Sequence, residues 1–144
     1  MTITQKCQNA FRDYLATVTW TGWAPTIASG INAANEGTDR ALPLPSIVVQ
    51  CQSAQQDGHE SAHYVAQVEV RLKENADDTD EVVHLAHLGE LEDALATDDI
   101  AADVSGSTFT AQLVEWTEQG YEIEGRSWVG YFRGEVHCVG RELT

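Results

Sequence analysis

Between residues 3 and 18 the apolar positions Ile3, Cys7, Ala10, Phe11, Tyr14, Leu15 and Val18 recur at spacings of three and four. That period is one face of an α-helix, with Thr2 or Thr4 as its cap and Gly22 and Pro25 to stop it. From Tyr64 the period changes to two: Tyr64, Ala66, Val68, Val70 and Leu72 alternate with Gln67, Glu69, Arg71 and Lys73. A half-buried strand with one wet face follows from that pattern. Ile47–Ser53 reads as a shorter strand, and the turn-like Gln55-Gln56-Asp57-Gly58 predicts that the two form an antiparallel hairpin. A second helix comes next, capped by Asp77 or Asp78, with Asp80 and Glu81 suited to its first turn. Its apolar stripe is Val82, Leu85, Leu88, Leu91 and Leu95.

The last third reads as a strand at Phe109–Thr117, a turn at Glu118-Gln119-Gly120 and a long strand at Tyr121–Val139. The inward phase of that strand changes near Gly125, for which a bulge is the expected cause. The order α-ββ-α-ββ predicts an α+β fold: a single antiparallel sheet of about four strands flanked by two helices, within one domain covering 1–144. A long irregular connection is expected at about 21–46, broken by Gly30, Gly37 and Pro43-Leu44-Pro45, with a helical turn only at Ala28–Asn35.

Charge changes the picture more than composition does. The chain has 144 residues, eight Lys and Arg against 23 Asp and Glu, and a formal net charge of −15. From Glu74 to Asp103 there are eleven acids and no Lys or Arg. Proteins that grip nucleic-acid phosphates need clustered cations, so surface binding of DNA or RNA is not expected. Salt adaptation and solubility are the bland explanations of such acidity. No run of apolar residues reaches the length of a membrane span, and residues 1–7 show no basic-then-apolar signal pattern. The expectation is therefore a chain with no membrane partner, folded where it is made. Cys7, Cys51 and Cys138 are odd in number and far apart, which favours free thiols in a reducing compartment.

Candidate chemistry is sparse. His84 and His87 stand three apart on the second helix, with Asp80 four before His84, but no third ligand or orienting group is marked. His59-Glu60-Ser61-Ala62-His63 matches the zinc-hydrolase spacing formally, yet it lies between a turn and a strand where that motif needs a helix. No Gly-x-Ser-x-Gly elbow or phosphate loop is present. Neither catalytic residues, nor metal ligands, nor a cofactor are expected, and the chain does not read as an enzyme. Asp77, Asp78, Asp80, Glu81, Glu90, Glu92 and Asp93 form a candidate acidic face, while Trp20 and Trp23, beyond the first helix, are candidate partner contacts or lids on the core.

Three stretches echo one family. Leu44-Pro45-Ser46-Ile47-Val48-Val49-Gln50-Cys51, then Ala76-Asp77-Asp78-Thr79 ahead of the leucine-striped helix, then Glu124-Gly125-Arg126-Ser127-Trp128 give a layout that resembles the tail-terminator (tail-completion) proteins of long-tailed bacteriophages. The resemblance covers most of residues 44–139, with the first helix matching by position. It implies a virion structural protein without catalysis: a homohexameric ring at the head-proximal end of the tail, assembled in the host cytoplasm. Such a ring caps the tail tube protein, meets the head-side connector protein and lets DNA pass without specific binding. Acids facing its lumen would repel phosphates. The resemblance extends to other head–tail joining or minor tail proteins. An acidic inhibitor that mimics DNA is the alternative of another class, and oligomeric state separates it from a ring.

Overall fold

The structure, a computed structural model, describes residues 1–30, 42–56 and 63–140. Helix α1 (Ile3–Thr17) begins at a capping box: the Thr2 hydroxyl accepts from the Gln5 amide and the Gln5 side chain accepts from the Thr2 amide. It buries Ile3, Cys7, Phe11 and Leu15, four residues apart each time, as the sequence period requires. Strand β1 (Thr26–Ser29) follows, then β2 (Ser46–Gln56) and β3 (His63–Asn75). Helices α2 (Glu81–Leu95) and α3 (Ile100–Val104) precede β4 (Phe109–Glu124) and β5 (Ser127–Gly140). The expected helix-and-sheet class holds, and so does the β2–β3 hairpin, paired antiparallel with Ile47 opposite Leu72.

The sheet is nonetheless mixed and five-stranded, in the order β1-β2-β3-β5-β4, rather than antiparallel with about four strands. The fifth strand is β1, which runs parallel to β2 from Thr26 opposite Ser46 to Ser29 opposite Val49. Its four residues sit between Pro25 and Gly30, and all are half-buried, so no alternation marks it. Ala28 and Ser29 therefore belong to a strand where a helical turn was expected. The rest of that turn, residues 31–35, lies outside the described residues, as do His59, Glu60, Ser61 and Ala62 of the zinc-like motif and Asp57-Gly58 of the hairpin turn. A third helix, α3, also joins the two expected; its single turn buries only Ile100 and Val104.

The final hairpin corrects a second expectation. Glu118-Gln119-Gly120 is not a turn: β4 runs through it, and the chain reverses at Gly125-Arg126, with Glu124 paired to Ser127. Gly125 has φ +62°, the left-handed value that a tight two-residue hairpin needs at its first turn position. The phase change read near Gly125 is the reversal itself. Ile123 lies opposite Trp128 and Tyr121 opposite Gly130, so an odd position on β4 shares a face with an even position on β5.

Strand β4 carries the bulges instead. One falls between Ala111 and Leu113 and one between Trp116 and Glu118. Each shifts the inward phase by one, from Phe109 and Ala111 to Val114 and Trp116, then to Tyr121 and Ile123.

The helices cover one face of the sheet, over a core that includes Phe11, Leu15, Val49, Val70, Leu72, Leu91, Leu95, Phe132 and Val136. Two hydrogen bonds tie the C-terminal end of α2 down. The Tyr14 hydroxyl donates to the Ala94 carbonyl at 2.6 Å, and the Trp116 indole donates to the Leu95 carbonyl at 2.9 Å. Both carbonyls stand at the helix end, where intrahelical donors run out. The three cysteines, distant in sequence, are free thiols in this core. Cys7 is pushed well above its ordinary pKa, first by its hydrogen bond to Cys51 and then by burial, and burial pushes Cys138 up to about 11. Such thiols pack as small hydrophobes.

Gly134 faces Trp116 across β4 and β5, and a Cβ there would run into the Glu115 carbonyl oxygen and the Trp116 backbone. Gly134→Ala is expected to destabilise the fold by about 1–3 kcal/mol, the usual cost of overpacking against a part that cannot move aside. Urea unfolding checks this: the midpoint falls with the slope unchanged.

Candidate functional site

Helix α2 is where the acids, the histidines and the tryptophans meet. Its cap is Asp80, whose Oδ1 accepts from the Val83 amide at 2.9 Å, not Asp77 or Asp78. Asp77 and Asp78 belong to the preceding turn, which Asn75 organises: its side chain accepts from the Asp77 amide and its carbonyl from the Thr79 amide. Asp80 is thus spent as a cap and does not join His84 and His87.

The buried face of α2 follows the expected leucine stripe at Leu88, Leu91 and Leu95 but departs from it at Val82 and Leu85. His84, Leu91, Ala94 and Leu95 are buried and Leu88 is half-buried, whereas Val82 is 76% exposed and Leu85 and Val83 face outward. The cause is Glu74, near the end of β3 and only 1% exposed. One of its oxygens binds Nδ1 of His84 at 2.8 Å and the other binds Nδ1 of His87 at 2.7 Å. A buried carboxylate accepts and cannot donate, so both imidazoles present Nδ1–H to it. His84 Nε2 is left buried without a partner among the described residues. Its ring stacks near Trp128, whose indole donates to the Thr79 carbonyl at 2.9 Å.

Trp20 and Trp23 close over the same region. Both are half-buried against the core and meet edge to face at 5.2 Å, and Trp23 stacks on His87 with ring centres 4.0 Å apart. Glu90 clasps this segment, accepting from the Thr21 amide at 2.8 Å and from the Trp23 indole at 2.7 Å. Burial raises the Glu90 pKa, but those two hydrogen bonds and the nearby His87 outweigh it and hold the carboxyl below its ordinary value. Glu90 is therefore half-buried and engaged, while Asp77, Asp78, Asp80, Glu81, Glu92 and Asp93 are exposed. Among the described residues these six make one ion pair, a long one from Asp77 to Arg126 at 3.9 Å.

Beside the exposed acids lies apolar surface. Leu85, Leu88, Gly89, Gly120, Tyr121 and Phe132 line a groove of about 290 Å³ between α2 and the β4–β5 hairpin, with Glu92 and Gln119 at its rim. The Tyr121 hydroxyl donates to Glu81 at 3.2 Å across the mouth. Ile123, 56% exposed, continues this side of the hairpin beyond Tyr121. Because β4 is the last strand of the sheet, its outer backbone edge is unpaired among the described residues. A regular edge with apolar side chains is a template for another chain. The sequence did not reveal this surface, because placing the turn at 118–120 assigned Tyr121 and Ile123 to the inward phase of the final strand.

Glu90→Gln is expected to fold but to loosen the Trp20–Trp23 segment, seen as a red shift of tryptophan fluorescence at neutral pH. For the native chain the sign follows from the lowered carboxyl. The clasp is complete above the unfolded glutamate value, about 4.3, and is lost as pH falls through the lower folded value. A fluorescence titration between neutral and acid pH should show that acid step in the native chain and not in Glu90→Gln. No protein-family model matches the chain, and a search of curated proteins finds no match.

Proposed function

We propose that the chain is a phage virion structural protein of the tail-terminator kind, acting as the subunit of a homohexameric ring between the tail tube and the head-side connector. The observation that carries this reading is the apolar side of the β4–β5 hairpin and α2. Leu85, Tyr121 and Ile123, with Val82 and Val83, lie exposed beside an unpaired strand edge. Scattered exposed hydrophobes are ordinary, but apolar side chains along an open edge suit a neighbour of the same kind. In a ring each copy presents its edge to the next copy, so no edge remains open.

Charge supports the second part of the proposal. Six chains at −15 each bring about −90 to the ring. Such a ring closes only if the acids point away from the subunit contacts. Asp77, Asp78, Asp80, Glu92 and Asp93 are exposed, and no hydrogen bond or ion pair ties down the side chains of Asp78, Glu92 and Asp93 among the described residues. Turned to the lumen they repel phosphates and keep DNA from sticking as it passes. Trp20 and Trp23 serve in this reading as a lid that steadies α2, with their outer edges available to the adjoining ring.

Native mass tests the proposal. Light scattering on a sizing column, across a concentration series at moderate and high salt, is expected to show a shift towards six copies, strengthened as salt screens the acids. Ile123→Glu combined with Leu85→Glu should leave circular dichroism and melting intact but abolish that shift. A fixed dimer indifferent to salt, concentration and both substitutions would contradict the ring and favour the DNA-mimic inhibitor.

A further inference from the structure

On the sheet face away from the helices, three side chains converge that no linear spacing groups together. Glu115 comes from β4, and Glu135 and His137 come from β5. One carboxylate oxygen of each glutamate and one imidazole nitrogen all lie within 4.8 Å of one another. The bulge between Ala111 and Leu113 creates the arrangement. Ahead of it Ala111 pairs with Cys138; beyond it Leu113 pairs with His137 and Glu115 falls directly opposite Glu135. Without the extra residue Val114 would hold that place, so the bulge has turned an acid onto this face.

Opposed like charges on neighbouring strands are unfavourable, and no Lys or Arg among the described residues pairs with these two. Three other acids on this face are paired: Arg133 binds Glu69 at 2.6 Å and Glu118 at 3.0 Å, and Arg71 reaches Glu69 and Glu124 at 3.5 Å each. Among the described residues Glu135 receives only the neutral amide of Gln67, at 3.3 Å. Glu115 and His137 make no hydrogen bond or ion pair among the described residues. Two carboxylates and one imidazole, brought together by strand register, are a mixed oxygen–nitrogen donor set.

We propose that Glu115, Glu135 and His137 bind a divalent transition-metal ion of the zinc class. The imidazole favours such an ion over magnesium, which takes oxygen ligands. Zinc–ligand distances are about 2.0–2.2 Å, within reach of these three atoms after small side-chain rotations. The two carboxylates balance the ion's charge, and Gln67 steadies Glu135 from behind. Three protein ligands leave a coordination position open for water or for a group from another molecule.

The test is zinc titration of the purified full chain after chelator treatment, read by calorimetry and by thermal melting. One equivalent per chain is expected, with a rise in melting temperature that magnesium at the same concentration does not produce. His137→Ala and Glu115→Gln should each lose that uptake while melting no lower than the native chain in chelator, which shows that the fold is intact. Gln67→Ala should keep the stoichiometry and weaken binding by roughly 10–100-fold. No uptake by the native chain, or uptake unchanged in His137→Ala and Glu115→Gln, would overturn the proposal.

Discussion

A carboxylate taken out of water has to find donors, and Glu74 finds two imidazoles on one helix. That contact sets the rotation of α2. With His84 and His87 turned towards Glu74, the face at 84, 88, 91 and 95 goes inward, and Val82, Val83 and Leu85 are carried outward. His87 then offers its other surface to Trp23, and Glu90, one turn along, holds the segment that carries it. The exposed apolar residues beside Tyr121 and the spacing of the exposed acids follow from the same placement. Removing one member of a buried hydrogen-bonded set leaves its partner unsatisfied, which costs more than the bond contributes net, so the arrangement resists piecemeal change.

Much of the frame was legible because it follows local periods. The four-residue spacing of Ile3, Cys7, Phe11 and Leu15 and the alternation after Tyr64 each have one reading, and the structure follows them. Features that depend on distant residues were hidden. Strand β1 is short, parallel and half-buried throughout, so it carries no alternation. The leucine stripe of α2 goes in at Leu88, Leu91 and Leu95, but at its first turns Glu74, ten residues before His84, draws His84 inward while Val82 and Leu85 stay exposed. Gly120 looked like a turn residue because glycine favours turns; here it lies within β4, where a side chain would strike Tyr131.

The acidic face was legible in part. Asp77, Asp78, Asp80, Glu81, Glu92 and Asp93 are exposed as a charged run suggests, whereas Glu90 and Glu74 within the same run are internal ties. A charge count does not separate carboxylates that repel from carboxylates that hold. The outer sheet face shows the same division: Glu69 and Glu118 share an arginine, while Glu115 and Glu135 face each other without one. That convergence depends on a bulge, which the inward phase of β4 signals only once the true reversal at Gly125 is known.

The central claim is that the free edge of β4, with the apolar residues beside it, is where one copy meets the next. Amide hydrogen exchange, compared between dilute and concentrated protein, tests it most directly. The account expects the outward-pointing amides of residues 119–124 to gain protection at high concentration, together with the exposed turn of α2 at 82–85, while β2 and β3 stay unchanged. Equal exchange in β4 and α2 at both concentrations, in a sample whose mass has risen, would place the contact elsewhere and contradict it.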